Sequence, residues 1–346
     1  MATRVARPKR RLWLTPRQVN LLLEGLVLGA LASGLASWLV PLSVARPVVI
    51  VHALCGLLLL VVAPFKVRGP VRSGFRRRQP GRWVSAGFGV LVVATVGVGM
   101  LHATGAWFGV GYWSALWTHQ LFGFALLPLL VWHLLSRPVR PAGTDLDRRA
   151  VLTTGAAAAA AAVVLGVQES VVRAVGSAGA ERAGTGSHAV GSFDPSTMPT
   201  VQWLDDVAPT DVEAGRWALT IAGAPVDVTA LWDRRIEITA RLDCTGGWFA
   251  DQRWLGVPLA DLLPADAEGR SIVVTSATGY RRRFPLADAA DLHLAVGYEG
   301  RPLRRGHGAP VRLVAPDRRG PHWVKWVVDV AISDRPSWLQ LPLPPT

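Results

Sequence analysis

Asp243-Cys244-Thr245-Gly246-Gly247-Trp248, running on to Trp254-Leu255-Gly256-Val257-Pro258-Leu259, is the stretch on which the reading of this chain turns. A lone cysteine at the end of a β-rich run, followed by a Gly-Gly turn, presents a sulfur where a soft metal can reach it. About sixty residues on come Gly306-His307-Gly308-Ala309-Pro310-Val311-Arg312-Leu313 and then Val324-Lys325-Trp326-Val327. The other cysteine, Cys55, lies in an apolar run far from the polar region around Cys244. A disulfide within the chain is therefore not expected.

Around that stretch the composition is divided. The 346 residues are 50% apolar and carry a formal net charge of +13. Residues 1–180 hold 19 Lys and Arg against four Asp and Glu, whereas the remainder holds 18 against 20. The basic excess sits in short segments between apolar runs, chiefly 4–17 and 66–82, which is the positive-inside pattern of a membrane protein. A nucleic-acid partner is excluded on that distribution.

Apolar runs of membrane length cover about 19–40, 48–65, 83–102 and 114–135, with a loop at 41–47 expected on the outer side. Glu24, near the inner end of the first run, reads as a solvated or snorkelling residue. A fifth run follows Arg148-Arg149 and reaches Val167. The twin arginine before a weakly apolar helix is similar to a twin-arginine export signal, and it reads equally well as the basic flank of a fifth span. Either reading sends the rest of the chain outward. The expected organisation is a four-helix membrane module at 1–140, a fifth span at 141–169, a Gly/Ala/Ser-rich tether at 170–196 and an extracytoplasmic domain at 197–346. In that domain, short β-branched runs predict strands over 216–222, 235–242, 271–276, 311–314 and 323–332, with short helices over 259–263 and 286–290. The fold class is an all-α transmembrane bundle followed by a soluble α+β domain.

Four histidines lie in the apolar runs: His52, His102, His119 and His133. Ionisable groups there are costly, and imidazole is a common haem ligand. Placed by depth, His52 and His119 both sit near the outer side, and they are the expected ligands of one haem b, with His102 as a substitute. His133 shares a helix face with His119 about 21 Å away toward the cytoplasmic side, and no partner for it is evident.

The Cys244 stretch and its distant tail, in this order and spacing, resemble the molybdopterin-binding domain of the sulfite oxidase family over roughly residues 200 to 335. The resemblance implies that Cys244 ligates molybdenum and that His307, Arg312 and Lys325 grip the molybdopterin and its phosphate. Thr245 and Gly246 would contribute backbone near the metal. Tyr280 is read from its own position as a metal-side donor and is not matched to the family's active-site tyrosine. The Arg281-Arg282-Arg283 run after Tyr280 reads as a solvated strand edge. Joined to a haem-binding membrane module, the whole is similar to the periplasmic methionine sulfoxide reductase system. What that implies is a membrane-anchored molybdenum oxidoreductase that moves an oxygen atom to or from a small substrate and exchanges electrons with haem b and the quinone pool or another redox partner. The alternative is a non-catalytic haem carrier or sensor whose outer domain keeps a degenerate molybdopterin fold.

Overall fold

The computed structural model describes residues 14–67, 71–107, 109–110, 113–201 and 207–341; the basic segment expected at 4–17 lies mostly outside them. The chain divides into two compact units, residues 1–35 with 47–180 and residues 36–46 with 181–346.

The first unit is helical. Its long helices are α1 (Pro16–Leu39), α2 (Leu42–Lys66), α4 (Arg82–Thr104), α5 (Ala115–Ser136) and α6 (Arg148–Ala174), with a short α3 (Arg72–Arg76) before α4. The five long helices are each apolar and long enough to cross a membrane. A two-residue pair, β1 (Gly109–Val110) and β2 (Trp113–Ser114), bridges α4 to α5, and Ser114 caps α5 by accepting from Trp117 N–H at 3.0 Å. Leu23, Val27, Leu59, Val92, Leu126 and Leu130 form its core. The expected loop at 41–47 is shorter in the structure, because the apolar residues before Pro47 extend α2 back past it at the loss of one intrahelical bond.

The second unit is built on two sheets. The strands are β3 (His188–Ala189), β4 (Leu219–Ile221), β5 (Ala224–Val226), β6 (Ile236–Cys244), β7 (Trp248–Pro258), β8 (Ser271–Ser276), β9 (Arg281–Pro285), β10 (His293–Tyr298), β11 (Arg301–Pro302), β12 (Arg312–Val314) and β13 (Val327–Ser333), with α7 (Val228–Arg234) between β5 and β6. In one sheet the long hairpin β6–β7 pairs Ile236 with Gly256 through to Cys244 with Trp248, and β10 joins β7 to β12. The other runs β5-β4-β13-β8-β9, with β13 parallel to β4 and antiparallel to β8. The short helices at 259–263 and 286–290 are single 3-10 turns, Leu259–Asp261 and Leu286–Ala290.

The segment expected as a tether differs from that expectation. α6 continues to Ala174, and residues 185–190 are built into the domain: β3 pairs in parallel with β7, matching His188 to Trp248 and Ala189 to Phe249. Thr185 and Ser187 donate to the Asp243 carboxylate at 2.6 and 2.7 Å. Small polar residues that read as a flexible linker are here the partners of a buried acid.

Candidate molybdopterin site

Cys244 is the last residue of β6, where the hairpin register closes on Trp248. Thr245 to Gly247 make the turn, and Gly247 adopts φ 92, which a Cβ would strain. The sulfur accepts the Gly246 N–H at 3.3 Å and is 9% exposed. Burial, with a smaller push from Asp243, holds the thiol pKa up, and the Gly246 N–H, Arg319 and Lys325 pull against that rise. Its surroundings thus hold both cations and a buried acid. Asp243, fully buried, is held by Thr185, Ser187 and Arg319, whose guanidinium lies 3.4 Å from it and donates to the Cys244 carbonyl at 3.2 Å. Gly320 packs against this strand end: a Cβ there would lie 3.3 Å from Cys244 Cα.

The tail residues form a second, adjoining network. Arg312, 1% exposed, lies between Trp254 and Trp323 at 5.0 and 5.5 Å from their ring centres and donates to the His307 carbonyl at 2.9 Å. Burial lowers its pKa to about 9, so it stays cationic at neutral pH. Lys325 Nζ donates to the carbonyls of Val201 and Gly306, both at 2.7 Å. Gly308 lets these two cations approach: at φ 105 it has no Cβ, and one would meet Arg312 Cβ at 2.9 Å and Lys325 Cβ at 3.2 Å. His307 has both ring nitrogens engaged, Nδ1 with the Tyr298 hydroxyl at 2.9 Å and Nε2 with the Met198 carbonyl at 3.2 Å. A carbonyl only accepts, so Nε2 carries the proton and Tyr298 donates to Nδ1. Burial and the neighbouring Arg312 and Lys325 hold His307 neutral, with its pKa lowered to about 4.

Cys244, Thr245 and Gly246 therefore lie together, and Lys325 is close enough to act on the Cys244 thiol. Arg312 and Lys325 converge on His307 and Gly308. In the structure His307 is a strut under the two cations. Tyr280 donates to the Pro321 carbonyl, on the turn that carries Gly320. Arg282 departs from the solvated-edge reading: it is 2% exposed and bonds His322 Nε2 at 3.1 Å, because alternate residues of β9 face the core. Sequence reasoning passed over Arg319 and Tyr298. The Asp317-Arg318-Arg319 run, lying between the two quoted tail segments, was the available signal.

A molybdopterin needs a thiolate for the metal and cations with spare donors for the phosphate, and these residues fit it. Arg312 Nε, Arg319 Nε and Trp248 Nε1 are buried and have no hydrogen-bond partner among the described residues. Residues 206–339 match the family of oxidoreductase molybdopterin binding domains.

This segment is a sulfite oxidase-like molybdopterin domain. The chain is similar to mitochondrial sulfite oxidase of Homo sapiens, 32% identical over 140 residues that cover 30% of this chain and 25% of that protein. It is also similar to the Drosophila melanogaster enzyme, 28% identical over 118 residues that cover 30% of this chain and 20% of the other. The chain thus spans about a quarter of the length of the curated relatives it matches. Among solved structures, the sulfane dehydrogenase SoxCD from Paracoccus pantotrophus is 28% identical with a TM-score of 0.33, over 36% of this chain and 40% of that one.

The helical unit brings two of the expected haem ligands together. His52 on α2 and His119 on α5 have ring centres 5.7 Å apart with the planes at 84°. His52 Nδ1 lies 2.8 Å from the Ala30 carbonyl and His119 Nδ1 lies 2.8 Å from the Thr95 carbonyl. Both Nδ1 atoms therefore carry protons, leaving both Nε2 lone pairs available to a metal. Two glycines make room: a Cβ at Gly34 would sit 3.1 Å from His52 Cε1, and one at Gly99 would sit 2.9 Å from His119 Nδ1. His102, 4% exposed, ends α4. His133 lies elsewhere, beside Lys66 and Glu24. Glu24 departs from the snorkelling reading, being 9% exposed and hydrogen-bonded to Asn20 within the bundle.

Proposed function

We propose that this chain is a membrane-anchored molybdenum-cofactor oxidoreductase that transfers an oxygen atom to or from a small substrate outside the cytoplasm, with electrons relayed through haem b and a quinone-linked membrane module. The observation that carries the reading is Cys244: a sulfur at a strand end, touched by a main-chain donor and flanked by Arg319 and Lys325, inside a domain of matching family. Bound there, molybdopterin would supply a two-electron metal centre for oxygen-atom chemistry.

The protein's part is positioning and charge. Cys244 would be the metal ligand, with Gly246 N–H steadying its negative sulfur and Thr245 fixing the turn. Arg312 and Lys325 would hold the phosphate, and His307, neutral and doubly bonded, keeps their carbonyl partners in place. Tyr280, the expected metal-side donor, gives its hydroxyl to the Pro321 carbonyl. In the bundle, His52 and His119 would ligate haem b, a one-electron carrier, with His102 as the substitute ligand. We place the haem module at 1–140, a signal-like fifth span from 141 to the end of α6, and an extracytoplasmic domain that begins before β3 rather than at 197.

Metal analysis of the purified full chain tests the reading. About one molybdenum per chain is expected, abolished by Cys244→Ser, and a reduced-minus-oxidised spectrum of b type is expected, lost in His119→Ala. No molybdenum in a folded, cofactor-competent preparation would overturn it.

A further inference from the structure

At the end of the bundle away from His52 and His119 lies a cavity that the reading above does not use. We propose that it binds the ring of a lipid-borne quinone. The wall is apolar, formed by Leu23, Val27, Val92 and Leu130, and one end is polar. There His133, 2% exposed, has Nε2 at 3.3 Å from Lys66 Nζ and 3.6 Å from Glu24 Oε1. Lys66 also donates to Asn20 at 2.6 Å, and Asn20 donates to Glu24. Four polar side chains from α1, α2 and α5 thus close on one another inside an apolar bundle. Such residues are costly there and mark a ligand or proton path.

Two polar atoms of residues that line this cavity are left over. His133 Nδ1 and Ser85 Oγ are buried and have no hydrogen-bond partner among the described residues, and both residues line the space. A buried polar atom without a partner is destabilising, so the site fits a ligand that brings hydrogen-bonding oxygens. The ligand must also be apolar enough to arrive through the bilayer and flat enough to lie against Phe88 and the aliphatic wall. A quinone ring meets these demands: it carries two oxygens on opposite sides and an aliphatic tail. The His133–Glu24–Lys66 cluster is also of a kind that exchanges protons, which a quinone does when its oxygens change between carbonyl and hydroxyl. Arg82 and Arg137 also line the cavity, so a lipid phosphate is the competing occupant, and the displacement arm of the test below separates it from a quinone.

This inference rests on the redox reading of the helical module, and one experiment separates the two. The full chain in nanodiscs is treated with an azido-quinone of short tail, illuminated, digested and mapped by mass spectrometry, with haem and molybdenum measured on the same sample. Saturable labelling of peptides holding Leu23 to Val27, Ser85 to Val92 or Leu130 to His133, displaced by unlabelled quinone, is the expected result. Ser85→Ala should weaken it roughly fivefold, the worth of one hydrogen bond, and Glu24→Gln should alter its pH profile. Labelling elsewhere, no saturable labelling, or displacement by phosphatidylglycerol alone would overturn the proposal. So would two haems per chain with one lost in His133→Ala, since the cavity would then hold a second haem. Quinone labelling without haem or molybdenum would leave the site standing and sink the function proposed above; haem and molybdenum without labelling would do the reverse.

Discussion

Gly99→Ala puts the haem reading to a sharp test. The new methyl would stand 2.9 Å from His119 Nδ1 and 3.0 Å from Cε1, whereas carbon contacts settle at roughly 3.5–4.0 Å. The imidazole would have to move by about half an ångström or more, and its bond to the Thr95 carbonyl would stretch or break with it. Overpacking of this kind costs about 1–3 kcal/mol. Spent on the bound form, that is a loss of about five- to 150-fold in haem affinity. The control is Gly97→Ala on the same helix, where a Cβ meets nothing within 4 Å. Both changes remove a helix glycine, so both gain about the same in helix propensity. The assay is haem titration of the purified full chain, followed by absorbance and by the reduced-minus-oxidised spectrum. Gly99→Ala should bind weakly with an altered spectrum, and Gly97→Ala should match the parent. Equal behaviour of the two variants would refute the ligand assignment.

Other outcomes follow from the molybdopterin domain. Asp243→Asn leaves Arg319 buried opposite a neutral group and should cost about 3–5 kcal/mol, seen as a fall in the unfolding temperature of that domain by calorimetry. Gly308→Ala, strained at its positive φ and pressed on Arg312 and Lys325, should reduce molybdopterin retention more than it reduces stability, as read by metal content against the melting profile. Stability should also fall as pH drops from about 6.5 toward 4. His307 and His322 have folded pKa values of about 4 and 3, below the ordinary histidine value, so the unfolded chain takes up protons first. Each histidine contributes at most about 1.4 kcal/mol per pH unit in that window. Thermal unfolding between pH 7 and 4.5 should show the slope, and His307→Gln should flatten it; an unchanged slope would mean that His307 titrates alike in the folded and unfolded chain.

The membrane helices were legible because a span requires some twenty apolar residues, and no arrangement of neighbours changes that requirement. The hairpin around Cys244 was legible as a motif, yet β7 was not read as a strand: Asp251, Gln252 and Arg253 interrupt its apolar run, and they are tolerated because Asp251 pairs with Arg241 across the hairpin and Gln252 donates to the Gly191 carbonyl. β10 was missed for the opposite reason, since all six of its residues are buried and it has no alternation to read. Glu24 and Arg282 were misplaced because His133 and His322 come from other elements that periodicity cannot bring together, although Asn20, four residues before Glu24 on α1, was within its reach. The Asp243 cluster was hidden for the same reason, its three donors lying 56 to 76 residues away in sequence.

The central strand of the five-stranded sheet, β13, is the last of the described strands to be synthesised. Until residue 333 has left the ribosome, the β4–β5 and β8–β9 pairs have no strand between them, so this sheet is the last part of the domain to close, whereas the other sheet contains no part of β13. Protease resistance in a timed translation should therefore reach its full extent only after that strand has emerged.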